Sequence, residues 1–229
     1  MKKVFSNSDL AHVYAQQTQN EGRNSNGSFY FYGSTLYSYG RHFPICKFIT
    51  NEEGQNALLF TQRSYSNTTA KQISITRNAT NQYNKIYCYN PEATHEDNFK
   101  AWLNEAESVA KKLQKAKKPE IYLYELGHVA HYAKKYADFF SIEIPEILQK
   151  VVSIKDKAEN IKYLEEKNAL LLIEKKKKER AQKLEFKENF KKWLSLETPY
   201  LYSRLNFDFL RLNDDRVETT QGVKIDRKS

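Results

Sequence analysis

The sequence predicts an α+β protein with an N-terminal antiparallel sheet and short helices, a helical middle with a long charged helix, and a C-terminal β-hairpin. Residues 28–61 are dense in Tyr, Phe, Ile and Thr, and glycines and a proline interrupt them at short intervals. From residue 94 to about residue 161 apolar side chains recur at helical spacing, and a charged run follows at 174–192. The chain therefore divides into three parts: a basic aromatic domain at 1–93, a helical segment at 94–197 and a C-terminal hairpin at 198–229.

The N-terminal domain is predicted to begin with a short helix, capped by Asn7 or Ser8 and ended by Gly22. Residues 23–28 are rich in Asn and Ser, which indicates a loop. An antiparallel meander of four strands follows, at 28–32, 34–39, 43–50 and 57–61.

The stretch after Arg63 fits either a helix or a fifth strand. Thr68 or Thr69 makes a plausible helix start, which favours the helix. A short strand is predicted at 86–89, and Asn90 with Pro91 closes the domain.

The middle of the chain is predicted to be helical. Thr94 and Asp97 form a capping pair before one apolar stripe, and a second helix covers about 120–140. Pro145 lies in the first turn of a third helix. Five apolar residues there repeat at 4-3-4-3 spacing, which predicts the seam of a short coiled coil or helical hairpin: Ile147, Val151, Ile154, Ala158 and Ile161.

Residues 174–192 contain eight Lys, one Arg and four Glu. Such runs are typical of a solvated helix surface, and the alternative is an arm that follows phosphates. Beyond them, 205–212 and 217–225 flank the turn residues Asn213, Asp214 and Asp215, which predicts the hairpin. A hairpin alone is marginally stable, so we expect it to dock on other residues or to be followed by further residues.

The composition narrows the function classes. Lys plus Arg number 37 against 28 Asp plus Glu, and aromatic residues make up 14%, which is unlike a disordered tail. The longest apolar run, 169–173, is far shorter than a membrane span, so no membrane partner is expected. No apolar signal core follows Met-Lys-Lys, so we expect an intracellular protein in which Cys46 and Cys88 are reduced and buried.

The segment between residues 28 and 90 is positively charged almost throughout. Between residues 28 and 90 the only acids are Glu52 and Glu53, against six Lys and Arg. A sheet that presents aromatic rings between cations can stack bases while the cations hold phosphates. Strand alternation places Tyr30 and Tyr32 on one face, opposite the neighbouring Phe residues. For any single aromatic residue, a place in the core is the more common alternative.

The leading hypothesis is therefore a nucleic-acid-binding accessory protein, with DNA or RNA left open. Five cations are expected to neutralise phosphates, Tyr37 or Tyr39 is expected to stack on bases, and His42 to contact a phosphate or cap a sheet edge. The cations are Arg41, Lys47, Arg63, Lys71 and Arg77.

The first alternative is an interaction protein. It would bind a host or virion protein, or a second copy of itself, through the apolar seam of the helical segment, and the positive charge would then serve solubility or an acidic partner.

The second alternative is an enzyme centred on His42 and Lys71, with Ser38 or Ser66 as the nucleophile. No carboxylate lies close in sequence to orient the imidazole, and no Gly-x-Ser-x-Gly elbow is present. Glu125 and His128 have the spacing of a helical metal ligand pair, but no second Glu-x-x-His completes it. We therefore predict no catalytic residue, no metal and no cofactor.

Two stretches resemble a family of uncharacterised bacteriophage proteins. Residues 37–44, Tyr-Ser-Tyr-Gly-Arg-His-Phe-Pro, and 65–71, Tyr-Ser-Asn-Thr-Thr-Ala-Lys, are similar to its two motifs, and 210–222 is similar to its later hairpin. The resemblance covers roughly 6–80 and 205–225. A His often follows the Lys in that family, whereas Gln72 stands here. The resemblance implies a phage-encoded protein in the host cytoplasm, and no mechanism.

Overall fold

The computed structural model describes residues 2–201, 209–214 and 216–226, and it has the predicted α+β fold. The chain forms two compact units, residues 1–164 and 165–229. The first unit contains seven strands and five complete helices among its described residues. The strands are β1 Val4–Phe5, β2 Glu21–Asn24, β3 Phe29–Tyr32, β4 Thr35–Ser38, β5 Pro44–Thr50, β6 Asn56–Thr61 and β7 Lys85–Cys88. The helices are α1 Asn7–Gln16, α2 Asn67–Ala79, α3 His95–Lys115, α4 Pro119–Phe140 and α5 Glu146–Val152, and α6 Lys157–Leu194 begins in this unit.

The seven strands form one sheet in sequential order. The predicted meander is confirmed, because β3 to β6 pair antiparallel, and β2 extends it on one side. The two edges differ from the prediction, since β1 pairs parallel with β2 and β7 pairs parallel with β6. Helices α1 and α2 provide the crossover connections that parallel pairs need.

Hydrogen bonds explain the outcome of two predictions for this domain, the loop at 23–28 and the helix after Arg63. The loop predicted at 23–28 is wrong at its start, because Arg23 and Asn24 belong to β2. The Asn24 side chain accepts a hydrogen bond from the Phe29 N–H at 3.2 Å and donates to Asn7, so tertiary partners satisfy it within a strand. The helix predicted after Arg63 is confirmed as α2. Its cap is Ser66 and not Thr68 or Thr69, because the Ser66 hydroxyl accepts a hydrogen bond from Thr69 N–H.

Each face of the sheet has its own hydrophobic core. One core joins α1 and α2 to residues such as Phe29, Phe31 and Phe60. The other joins α3, α4 and α5 to Leu59 and Ile86. The sheet is therefore the middle layer of a three-layer unit, and the helices predicted as a separate segment share a core with it.

The helical middle agrees with the sequence for α3 and α4. Thr94 caps α3 by accepting a hydrogen bond from Asp97 N–H at 3.1 Å, as predicted. α4 follows Lys118 with Pro119 in its first turn.

The predicted coiled-coil seam is wrong. α5 ends at Val152, and Asp156 starts α6 by accepting hydrogen bonds from Ala158 N–H and Glu159 N–H. The five seam residues therefore lie on two helices and the connection between them. Val151 and Ile154 are buried in the core, whereas the other three are exposed: Ile147, Ala158 and Ile161.

The lysine-rich run 174–192 lies in α6, and all its Lys, Arg and Glu residues are exposed, as expected of a solvated surface. Within the described ranges, no helix combines the length and the apolar character needed to cross a bilayer.

The second unit contains β8 Leu210–Asn213, β9 Arg216–Thr219 and β10 Lys224–Asp226. β8 and β9 form the predicted hairpin around Asn213 and Asp214. Its second arm turns again at Gly222, which has φ +85°, so the hairpin becomes a three-stranded antiparallel sheet. Residues 205–208 of the predicted first arm, and Asp215, lie outside the described residues.

A buried ion pair organises this second unit. The Arg211 guanidinium donates to Glu218 Oε2 from Nε at 2.8 Å and from Nη2 at 2.6 Å. It also donates to the Thr198 carbonyl at 3.0 Å and lies over the Trp193 ring, 4.8 Å from the centroid. The pKa of Glu218 is lowered to about 2, mainly by the hydrogen bonds from Arg211 and secondly by the one from Asn213.

This pKa makes the stability of the C-terminal strands sensitive to acid. Because the folded pKa lies below the ordinary value of about 4.3, the stabilisation from Glu218 is complete above that value. It is lost as the pH falls toward 2. Urea unfolding, followed by the amide NMR signals of β8 and β9, is expected to show this loss.

The control is Glu218→Gln, which keeps the shape and removes the charge. We expect it to be less stable than the wild type at neutral pH and nearly insensitive to acid in this range, since the exposed pair Arg216–Asp226 contributes little. An unchanged acid dependence in Glu218→Gln contradicts the assignment.

Two glycines provide a matched test of the packing in the first unit. A Cβ on Gly22 would approach the buried Phe31 ring at 2.7 Å, so Gly22→Ala is expected to destabilise the protein by about 1–3 kcal/mol. A Cβ on Gly127, in α4, meets nothing within 4 Å, so Gly127→Ala is expected to stabilise by roughly 0.5–1 kcal/mol. Chemical denaturation measures both, and a change of the same sign in both variants refutes the packing argument.

Candidate functional site

Helices α3 to α5 cover only part of their face of the sheet. Cross-strand register places Tyr32, Thr35, Lys47 and Leu59 in one row across β3 to β6, hence on the same face. Leu59 contacts the helices, whereas Tyr32 at the other end of the row is 58% exposed. The helices therefore leave the β2–β3 end of this face uncovered.

We call the uncovered region the open aromatic face, formed by Arg23, Tyr30, Tyr32, Arg41 and Lys47. Burial alternates along β3, since the two Phe side chains point into the α1–α2 core and the two Tyr side chains point to this face. The split predicted from strand alternation is thus confirmed.

A stacked pair of tyrosines forms the centre of the open aromatic face. The Tyr30 and Tyr37 rings are stacked, with centroids 5.1 Å apart and planes 18° apart. Tyr37 is only 7% exposed, and its hydroxyl donates to Glu92 Oε1 at 2.5 Å. Burial is the main cause that raises the pKa of Tyr37 to about 12, and the hydrogen bond to Glu92 is the second. Burial also raises the pKa of Tyr30. Both rings are neutral, and Tyr37 packs beside Tyr30 from the neighbouring strand.

Cations surround these rings. Arg23 and Arg41 line a shallow cavity of about 250 Å³ together with Tyr30 and Tyr32. The Arg23 guanidinium is held by the backbone, because Nη1 donates to the Ser25 carbonyl at 3.1 Å. Lys3 and Glu21, also at this cavity, form an ion pair with each other. The arginines therefore remain available to an anion above the rings.

The structure divides the predicted nucleic-acid residues between several places. Two of them, Arg41 and Lys47, belong to the open aromatic face, and Tyr37 is the buried ring that stacks on Tyr30 of this face. Tyr39 and His42 are exposed in the connection between β4 and β5. The remaining three lie elsewhere, Lys71 exposed on α2, and Arg63 and Arg77 together in another cleft.

Sequence reasoning missed part of this face. Strand alternation gave the orientation of Tyr30 and Tyr32, yet the predicted stacking residues were Tyr37 and Tyr39. Arg23 carried no signal, because its surroundings indicated a loop. Its position became visible only through its pairing with Tyr30 across β2 and β3.

The stretches 37–44 and 65–71 meet in a buried polar cluster. The Ser38 hydroxyl donates to Gln72 Oε1 at 2.5 Å and lies 3.2 Å from the Thr69 hydroxyl. The Gln72 amide donates to the Ser28 carbonyl at 3.4 Å. These hydrogen bonds fix α2 on β4, so the motif residues Ser38 and Thr69 stabilise the fold.

The residues of the proposed enzyme centre are not gathered. Ser66 serves as the cap of α2, while His42 and Lys71 are exposed, and no hydrogen bond of the described chain joins these three side chains. Across the described ranges no group of three or more His, Cys, Asp and Glu is placed to hold a metal ion. The two cysteines are buried and unpaired.

Comparisons of the chain with protein-family models, with curated proteins and with solved structures found no match. The resemblance to bacteriophage proteins therefore stays a prediction.

Proposed function

We propose that this protein binds single-stranded nucleic acid on the open aromatic face. The observation that carries the proposal is that the exposed Tyr32 and the half-buried Tyr30 line one cavity with Arg23 and Arg41, on a sheet face that the helices leave uncovered. A flat ring accepts any base by stacking, and a guanidinium beside it holds the adjoining phosphate.

The rigidity of the ring pair favours this role. Tyr30 rests on Tyr37, and Glu92 fixes Tyr37 through its hydroxyl, so little side-chain freedom is lost when a base stacks on Tyr30. Single strands are favoured over duplexes because only unstacked bases present their faces to a ring on a sheet.

The alternative of an interaction protein has less support. Its predicted seam is interrupted between α5 and α6, and Val151 and Ile154 pack inside the first unit. No continuous apolar stripe along residues 147–161 is left to meet a partner.

The stacking role predicts a specific loss. Tyr32→Ala is expected to weaken binding of a labelled oligonucleotide by about fivefold to 150-fold, because stacking on an aromatic side chain contributes about 1–3 kcal/mol per base. Fluorescence anisotropy with single-stranded DNA and RNA measures the effect. Tyr65→Ala, which removes an exposed tyrosine outside the open aromatic face, is the control and is expected to bind normally. Equal losses in the two variants would refute the site.

The phosphate contacts predict a salt dependence. Three contacts, from Arg23, Arg41 and Lys47, give a slope of log affinity against log salt of about −2 for a single strand. The double variant Arg23→Gln with Arg41→Gln should reduce this slope to about −0.7.

The matched control for this measurement is Lys134→Gln with Lys135→Gln, which removes two exposed cations of α4. Its slope should stay at the wild-type value. A slope that falls equally in both double variants indicates a diffuse charge effect and contradicts the proposed face.

A further inference from the structure

A second cleft of the first unit has the features of a ligand site. We call it the edge cleft, because it lies at β7, the last strand of the sheet. Its volume is about 660 Å³, within the usual range for small-molecule pockets. The residues that carry the argument come from the β6–α2 connection, α2, α3 and α4: Arg63, Arg77, Glu105, Tyr124, His128 and Tyr132.

Arg63 brings a cation to this cleft without a partner. Its Nε and Nη2 atoms are buried, and neither makes a hydrogen bond. Its guanidinium lies over the Phe43 ring, 4.7 Å from the centroid, and burial lowers its pKa. Buried N–H groups without acceptors are costly, so binding of an anion that reaches this guanidinium would be favoured.

Arg77 supplies a second cation to the same cleft from α2. Its guanidinium lies over the Phe60 ring at 5.7 Å, which restrains the side chain. Two guanidinium groups in one cleft suit a doubly charged phosphate monoester, whose oxygens accept several charge-assisted hydrogen bonds.

An aromatic wall on α4 completes the cleft. Tyr124, His128 and Tyr132 follow one another every fourth residue, so they lie on one side of the helix. The Tyr124 and His128 rings are 4.4 Å apart at their centroids, and those of His128 and Tyr132 are 6.1 Å apart. Tyr124 is 70% exposed although it lines the cleft, so its ring is accessible to a planar ligand group.

Polar groups between these walls are fixed in position. The Gln62 side-chain oxygen accepts a hydrogen bond from Trp102 Nε1 at 2.9 Å, and Glu105 accepts one from the Tyr89 hydroxyl. Glu105 and Glu125 add acceptors for amino or hydroxyl groups of a ligand.

We propose that the edge cleft binds a nucleoside 5′-monophosphate, with its phosphate on Arg63 and Arg77 and its base against the rings of α4. The combination of two cations and a ring wall selects a phosphate and a planar ring in one molecule. The residues of this site are distinct from those of the open aromatic face.

The test is isothermal titration calorimetry of the full chain with the four common ribonucleoside 5′-monophosphates, the corresponding nucleosides and inorganic phosphate. At least one monophosphate is expected to bind about tenfold or more tightly than its nucleoside and than phosphate, since each lacks one half of the contacts. If no monophosphate binds at millimolar concentration, or if nucleosides or phosphate bind equally well, the proposal is overturned.

Variants locate the site. Arg77→Gln and Tyr124→Ala change exposed side chains, so folding is preserved, and each is expected to weaken monophosphate binding about tenfold or more. Arg63→Met, which keeps the packing on Phe43, is expected to do the same. Arg180→Gln and Tyr200→Ala are matched controls from exposed positions of the second unit. Wild-type affinity in both Arg77→Gln and Tyr124→Ala overturns the assignment, even if Arg63→Met does not fold.

Discussion

The unequal burial of the two sheet faces is the constraint on which the first unit depends. β6 is apolar on both faces, with Leu58 toward α1 and α2 and Leu59 toward α3 to α5, so this part of the sheet requires a helical layer on each side. β3 alternates Phe with Tyr, so only its Phe face requires a covering helical layer. The helices cover the apolar area and stop there, which leaves tyrosines and arginines facing solvent.

A buried polar cluster joins α2 to the sheet. Ser38, Thr69 and Gln72 form a buried cluster that joins α2 to β4, and buried polar groups are stable only when such partners are present. The stretches 37–44 and 65–71 contribute Ser38 and Thr69 to this cluster. A motif that suggests catalysis in a sequence can thus serve to orient a helix.

The cations of the N-terminal domain serve two surfaces. Arg41 lies beside Tyr30 and Tyr32 on the open aromatic face, whereas Arg63 and Arg77 lie at the last strand with the tyrosines of α4. Each surface combines guanidinium groups with aromatic rings. The open aromatic face is an extended surface, whereas the edge cleft has the volume of a small-molecule pocket. The same role in phosphate binding was predicted from sequence for all these cations, because a sequence carries no information on strand order.

The sequence by itself determined the elements whose signals are local. Strand alternation, the Thr94 cap, and the Asn213–Asp214 turn appear as predicted, because each depends on neighbouring residues. Tertiary structure alone decided the pairing of Arg23 with Tyr30, and the meeting of Arg63 with the rings of α4. Each of these pairs joins residues of different elements, and it forms because burial and hydrogen bonding of the whole unit outweigh local preference.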